Sequence, residues 1–126
     1  MAQIYDLIKG QRVHSVTPDH TAVEAARLMT EHSIGAVPVM QDGDLVGILS
    51  ERDIMTRVVA AGRSPGITRV SEVMTAKPRV VAANESVENC VFMMREFGFR
   101  HLPVFEGNKL MGVVSVRDIA LHTGTR

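Results

Sequence analysis

The chain has 126 residues, 45% apolar and 22% charged, a balance typical of soluble globular proteins and enough length for one real core. Its 14 Lys and Arg offset 14 Asp and Glu, so a formal charge of zero disfavours nucleic acid or an anionic membrane as the main partner, leaving open only a local basic pocket. There is no 18-residue apolar run, no basic and apolar leader at the N-terminus, and one cysteine, Cys90, without an internal disulfide partner, which sets the expectation of a cytoplasmic protein.

In chain order, Ile4, Leu7 and Ile8 fall at helical spacing and predict a short amphipathic helix. Val70, Val73 and Met74 repeat that spacing at an offset of 66 residues. Each of these lead-ins is followed by a short extended piece, 13–16 and 79–82, and then by turn or cap residues, Thr17-Pro18-Asp19 and Ala83-Asn84. A helix over 21–33 presents Ala22, Ala25, Ala26 and Met29 on one face, and its counterpart presents Val87, Cys90, Val91 and Met94. Small residues on one helix and larger ones on the other suggest packing across a pseudo-two-fold, with Cys90 a buried small hydrophobe rather than a reactive thiol.

Next come two apolar runs with a proline inside, 36–40 around Pro38 and 101–105 around Pro103. Each leads through a polar turn, 41–44 or 106–109, into a second apolar run, 45–49 or 110–114, which predicts a β-hairpin. Proline cannot donate to a ladder, so these strands are expected at an edge or a strand start, with backbone open to a ligand. The last helix of each half begins at Ser50 or Ser115. The first runs to about residue 61, and 62–66, Gly-Arg-Ser-Pro-Gly, stops it and opens the linker.

The two halves are one plan used twice. Residues 16–54 laid on 81–119 without a gap give eleven identities in thirty-nine positions, among them Pro38/Pro103, Gly47/Gly112, Ser50/Ser115, Arg52/Arg117 and Asp53/Asp118. The octets 47–54 and 112–119 read as a strand ending at Gly-x-x-Ser and turning at once into a helix. A serine there is a preferred N-cap, and an aspartate three residues on suits the positive end of the helix dipole. Helix capping accounts for the serines and is one reading of the aspartates.

Nothing in the sequence assembles a catalytic set. There is no phosphate-binding Gly-x-x-x-x-Gly-Lys-Ser/Thr loop, no Gly-x-Gly-x-x-Gly, and no base beside either serine. His14, His20, His32 and His122 show no metal-ligand spacing, and the eight methionines read as core filler.

The doubled arrangement of lead-in, helix, x-x-Pro-Val strand, turn and Gly-h-h-Ser-x-x-Asp (h, apolar) resembles a tandem pair of cystathionine β-synthase (CBS) domains, from about Ile4 to Leu121. The second half's Phe99-Arg100-His101-Leu102-Pro103-Val104 is especially similar to that family. The resemblance implies an α/β fold of two β-α-β-β-α repeats, 1–62 with its lead-in helix and 70–126, joined by a linker at 63–69. It also implies a regulatory module that is not an enzyme. Such a module binds AMP, ADP, ATP, NAD(H) or S-adenosylmethionine in clefts between the repeats, dimerises, and signals to a protein target as yet unknown.

Chemistry agrees with that assignment. A carboxylate such as Asp53 or Asp118 can accept both hydroxyls of a ribose. Ser50 and Ser115, with the helix-start amides beside them, favour an anion, and Arg52 and Arg117 add charge. The pieces at Ser15-Val16 and Val80-Val81, with Pro38 and Pro103, would offer an apolar slot for adenine. Arg100 and His101 stand where the first half has Gly35 and Ala36. Family pattern gives that basic pair to the phosphate of the ligand whose ribose Asp53 holds, which implies one stronger phosphate-binding site and one that is weaker or tolerates a different ligand. The alternative is a constitutive interaction or dimerisation module whose clefts hold no functional ligand.

Overall fold

The computed structural model describes residues 2–123 and shows an α/β protein with two three-stranded sheets and helices. After the short helix α1 (Tyr5–Ile8) comes α2 (Ala22–Glu31), shorter at both ends than the 21–33 predicted. Its start is fixed by a reciprocal cap in which the Thr21 hydroxyl accepts the Glu24 N–H at 3.2 Å and the Glu24 carboxylate accepts the Thr21 N–H at 2.9 Å. Strands β1 (Ala36–Gln41) and β2 (Asp44–Ser50) form the predicted hairpin. Asp42 and Gly43 both have positive φ, 52° and 84°, as a type I′ turn requires.

The helix after Ser50 departs from expectation. Only Glu51–Asp53 (α3) is α-helical, and Ile54–Val59 continues as a π-helix, with the Ala60 N–H donating to the Met55 carbonyl five residues back. A 3.6-residue period read from the sequence carries no signal for this widened turn. Helix α4 (Val70–Val73) and strand β3 (Thr75–Ala76) follow, then β4 (Val81–Ala82) and α5 (Val87–Phe97). The second hairpin is β5 (His101–Glu106) with β6 (Lys109–Ser115), and α6 (Val116–Thr123) closes the description with an ordinary α-helix.

One sheet has the order β1-β2-β3 and is antiparallel. The other has the order β4-β5-β6, with β4 parallel to β5. Neither proline sits at an open edge as expected: Val16 bridges Val39 beside Pro38 on β1, and Pro103 is on the central strand of its sheet. It is tolerated there because β4 pairs only with Val104 and Phe105, so no ladder bond on that side asks for an N–H at 103.

The chain forms two compact units, and they are not the two sequence repeats. One is His14–Pro78. The other joins the N-terminal residues up to Val13 with the chain from Arg79 onward. The lead-ins are thus exchanged, so that α1, expected to belong with residues 1–62, packs with the second repeat. Ile4 and Ile8 share a core with Val81, Val87, Cys90, Leu102, Val104, Val114 and Ile119. Val70 and Val73 share the other with Val16, Ala22, Ala25, Val37, Val39, Leu49 and Val58.

The exchange explains why Gly47 and Gly112 are glycines. A Cβ at Gly47 would stand 2.5 Å from the Met74 sulfur and 3.0 Å from the Thr75 carbonyl oxygen, because β3 pairs at Gly47 and Ile48. In the other unit no strand among the described residues fills the equivalent place. There the Gln11 carboxamide accepts the Val113 N–H at 2.8 Å and donates to the Val113 carbonyl at 3.2 Å, a side chain standing in for a strand. A Cβ at Gly112 would stand 2.6 Å from its oxygen.

Candidate functional site

Each half carries the same cap at its strand–helix junction. Ser50 ends β2 in extended geometry, φ −105° and ψ 163°, which aims its hydroxyl along the helix it starts. The hydroxyl accepts the Asp53 N–H at 3.1 Å, and Asp53 Oδ2 accepts the Ser50 N–H at 3.0 Å. Ser115 and Asp118 repeat this at 3.0 and 2.8 Å. One more bond is shared by both junctions. The Glu51 N–H donates to the Gly35 carbonyl, and the Val116 N–H to the Arg100 carbonyl, both at 2.9 Å.

These bonds change what the junction can offer an anion. The first and third helical amides are committed, the first to a neighbouring strand and the third to the serine. That leaves the Arg52 and Arg117 amides, with the serine O–H as a donor, a thinner cradle than the expected run of helix-start N–H groups. Both arginine side chains are exposed, and their ion pairs do not figure among those of the described residues.

In each aspartate the cap engages one oxygen and leaves Oδ1. The two Oδ1 atoms differ in surroundings. Asp53 is 8% exposed, and its Oδ1 meets the Thr75 hydroxyl at 3.5 Å and Arg57 Nε at 3.8 Å. Arg57 also donates from Nη1 to the carbonyls of Val73 and Met74, at 3.3 and 3.0 Å. Asp118 is half-buried, and among the described residues no side-chain donor reaches its Oδ1. Thr75 and Arg57 were not among the residues expected at the site. Arg57 is foreshadowed by its place four residues after Asp53 on a helix, whereas Thr75 reaches it only through the β2–β3 pairing.

The extended pieces behave partly as expected. The Val16 N–H donates to the Pro38 carbonyl at 3.1 Å and the Val16 carbonyl accepts the Met40 N–H at 2.8 Å, so both polar groups belong to the sheet. Pro38, expected to leave backbone open, thus has its carbonyl filled. Val81 is likewise paired, opposite Val104. The residues one place earlier, Ser15 and Val80, are the exposed ones. Ala36 is buried opposite Ser50, whereas Pro38 and Pro103, also buried, stand opposite Ile48 and Val113, two residues before the serines. His101 is half-buried and faces Ser115 across the β5–β6 ladder, and Arg100 beside it is exposed. Ser15, Val16, Ala36, Pro38, Ser50, Arg52 and Asp53 therefore gather in the His14–Pro78 unit; Val80, Val81, Arg100, His101, Pro103, Ser115, Arg117 and Asp118 gather in the other.

Comparison with known proteins gives four findings. The sequence model of the CBS domain matches twice, over residues 6–60 and 70–122. The CBS domain-containing protein YhcV of Bacillus subtilis is 39% identical over 122 residues, covering 97% of this chain and 86% of its own. Among solved structures, a putative signal-transduction protein with CBS domains from Burkholderia ambifaria superposes with a TM-score of 0.91 at 36% identity, over 97% of this chain and 93% of that one. The structure of CBSX2 in complex with AMP shares the fold, with a TM-score of 0.79 at 24% identity over 98% of this chain and 96% of that one.

Proposed function

The chain belongs to the CBS domain family, and on that premise we propose that it is a cytoplasmic regulatory module that binds an adenine nucleotide and passes the event to a protein target. The observation that carries the reading is the twice-built cap whose aspartate keeps one oxygen outside the cap. A carboxylate oxygen at a strand–helix junction suits a ribose hydroxyl, and the Ser50 or Ser115 O–H with the Arg52 or Arg117 amide suits a phosphate beside it. Ser15 and Val80 stand at the exposed end of each extended piece for the adenine, and Arg100 supplies a cation. The ligand class is AMP, ADP, ATP, NAD(H) or S-adenosylmethionine; support for AMP is that CBSX2, of the same fold, holds it. The module works as a homodimer and does no chemistry of its own.

A second reading has one observation in its favour. Thr75 and Arg57 already occupy Asp53 Oδ1, as in a cap that only holds a fold together. On that reading the protein is a constitutive interaction module.

Thermal unfolding with AMP, ADP, ATP, NAD, NADH and S-adenosylmethionine separates the two. A ligand present at a hundredfold its dissociation constant adds about 2.7 kcal/mol, a rise on the order of 10 °C for a chain of this size. The expected result is a rise with at least one ligand, reduced in Asp53→Asn or Asp118→Asn. No rise with any of the six overturns the nucleotide reading in favour of the interaction module.

A further inference from the structure

Arg57 joins two things that the fold has no need to join. Its Nε approaches Asp53 Oδ1 at 3.8 Å while its Nη1 holds the carbonyls of Val73 and Met74 at 3.3 and 3.0 Å. Thr75, the next residue, donates to the same carboxylate oxygen at 3.5 Å. Both contacts to Oδ1 are long, whereas the cap bond on Oδ2 is 3.0 Å, so Oδ1 is the loosely held oxygen of a firmly held carboxylate. The segment so tethered, 73–76, lies just before the chain passes into the other compact unit at Arg79. Lys77, between them, is held at φ 50°, a left-handed conformation that a non-glycine residue adopts only when its surroundings impose it. The second half has no counterpart: four residues after Asp118 stands His122, and the Gln11 side chain fills the place of β3.

We propose that Arg57 is a coupling residue, which makes segment 73–77 sense whether Asp53 Oδ1 is occupied by a ligand. This rests on the nucleotide reading for its trigger. A ribose hydroxyl donating to Oδ1 replaces the two long contacts. Arg57 and Thr75 lose their carboxylate partner, Arg57 keeps the two carbonyls, and the segment relaxes toward a new position. The Asp53 site is therefore the signalling one and the Asp118 site a silent one. A lysine at 57 keeps the charge but cannot reach a carboxylate and two carbonyls from one planar fork.

Backbone hydrogen exchange at 74–77 reads this directly, with and without AMP, in the wild type, Arg57→Lys, Arg57→Gln and Asp118→Asn. AMP is expected to change exchange there by about fivefold or more in the wild type and in Asp118→Asn, and to leave it unchanged in both Arg57 variants while still raising their melting temperature. An equal response in the Arg57 variants, or none in the wild type when AMP demonstrably binds, overturns the coupling. Without any ligand, Asp53→Asn and Arg57→Gln are combined in a double-mutant cycle on the same amides, with Thr75→Val replacing Asp53→Asn if that variant fails to fold. Non-additive effects support the tether and additive ones refute it. The cycle decides the tether even if none of the nucleotides binds, so the two proposals fail separately.

Discussion

Asp53 and Asp118 occupy matching caps, yet among the described residues side-chain donors approach the second oxygen of Asp53 alone, and that difference sets what substitutions at each will do. Removing the Ser115 hydroxyl leaves the Asp118 N–H without its acceptor, so Ser115→Ala is expected to cost about 1 kcal/mol in urea unfolding. Ser50→Ala removes the matching bond and frees Asp53 to swing toward Arg57 and Thr75. Two further carboxylates answer to pH. The Thr21 N–H and hydroxyl lower the Glu24 pKa below 4.5, and the Arg69 N–H, followed by the Arg63 guanidinium, does the same for Glu72. A carboxylate lowered in the folded state stabilises it above the unfolded value and loses that contribution as pH falls through the folded one. Stability should therefore decline from about pH 4.5 downward, and Glu24→Gln with Glu72→Gln should flatten that decline in denaturation curves taken between pH 3 and 6. Burial pushes the Cys90 thiol up to about 11, with Glu85 adding to it, and the residue is fully enclosed. A thiol reagent at pH 8 should reach it only at the rate at which its unit opens. The Ser-x-x-Asp caps and the thiol's burial were legible because each is a short-range pattern. The Gln11–Val113 pair was not, since 102 residues separate its members and a surface glutamine carries no mark of its use.

Strands, turns and helices followed their local chemistry closely. Asp42-Gly43 and Gly107-Asn108 made two-residue hairpin loops, and the Pro-Val strands stood opposite the Gly-h-h-Ser strands in the same register in both halves, with a bulge at the same place. What local chemistry did not reveal was β3, the third member of the first sheet, whereas β4 falls within the extended piece expected at 79–82. Residues Thr75 and Ala76 are too few for a periodic signal, and their partner lies across the sequence. The glycines give the sharpest test of this layer. Gly47→Ala pushes against a backbone carbonyl, which cannot move without moving β3, and is expected to cost about 1–3 kcal/mol. Gly112→Ala meets the end of the Gln11 side chain, which can swing away and give up its two bonds, and Ile8 Cδ1 at 3.2 Å, a side-chain methyl that needs to give by only a few tenths of an ångström. Paired with Gln11→Ala, the Gly112 substitution should cost little more than Gln11→Ala alone, whereas Gly47→Ala keeps its full cost in either background. Urea midpoints of the four variants decide it. The π-helix escapes sequence reading for a different reason. The chain from Ile54 to Val59 buries Val58 completely and leaves Met55 and Val59 exposed, an apolar composition that an α-helix would explain equally well.

At the scale of the molecule the repeat was plain and its partition was not. The halves suggest a cut in the linker at 63–69. The structure places the divisions after Val13 and after Pro78, because each lead-in is packed into the other repeat's core. Identity between repeats cannot show this, since a helix with the Ile4, Leu7 and Ile8 pattern fits either core on pattern alone. Removal of residues 2–13 takes Ile4 and Ile8 from one cluster and the Gln11 clasp from one sheet edge. Hydrogen exchange on that shortened chain is expected to show β4, β5 and β6 unprotected, while β1 and β2 keep their protection. Equal loss in both sheets would contradict the division.

The same exchange sets an order of events at the ribosome. Residues 14–78 hold every element of one unit and can close as soon as Pro78 clears the exit tunnel. Residues 2–13, with Ile4 and Ile8, leave the tunnel ahead of that unit, yet their own core is completed by β4, β5 and β6, made after it. At roughly 5–20 residues per second they wait for several seconds, apolar face uncovered, beside a neighbour that has already folded. For that interval α1 is an unclaimed sticky segment of the nascent chain, and a chaperone that binds early would find a handle there.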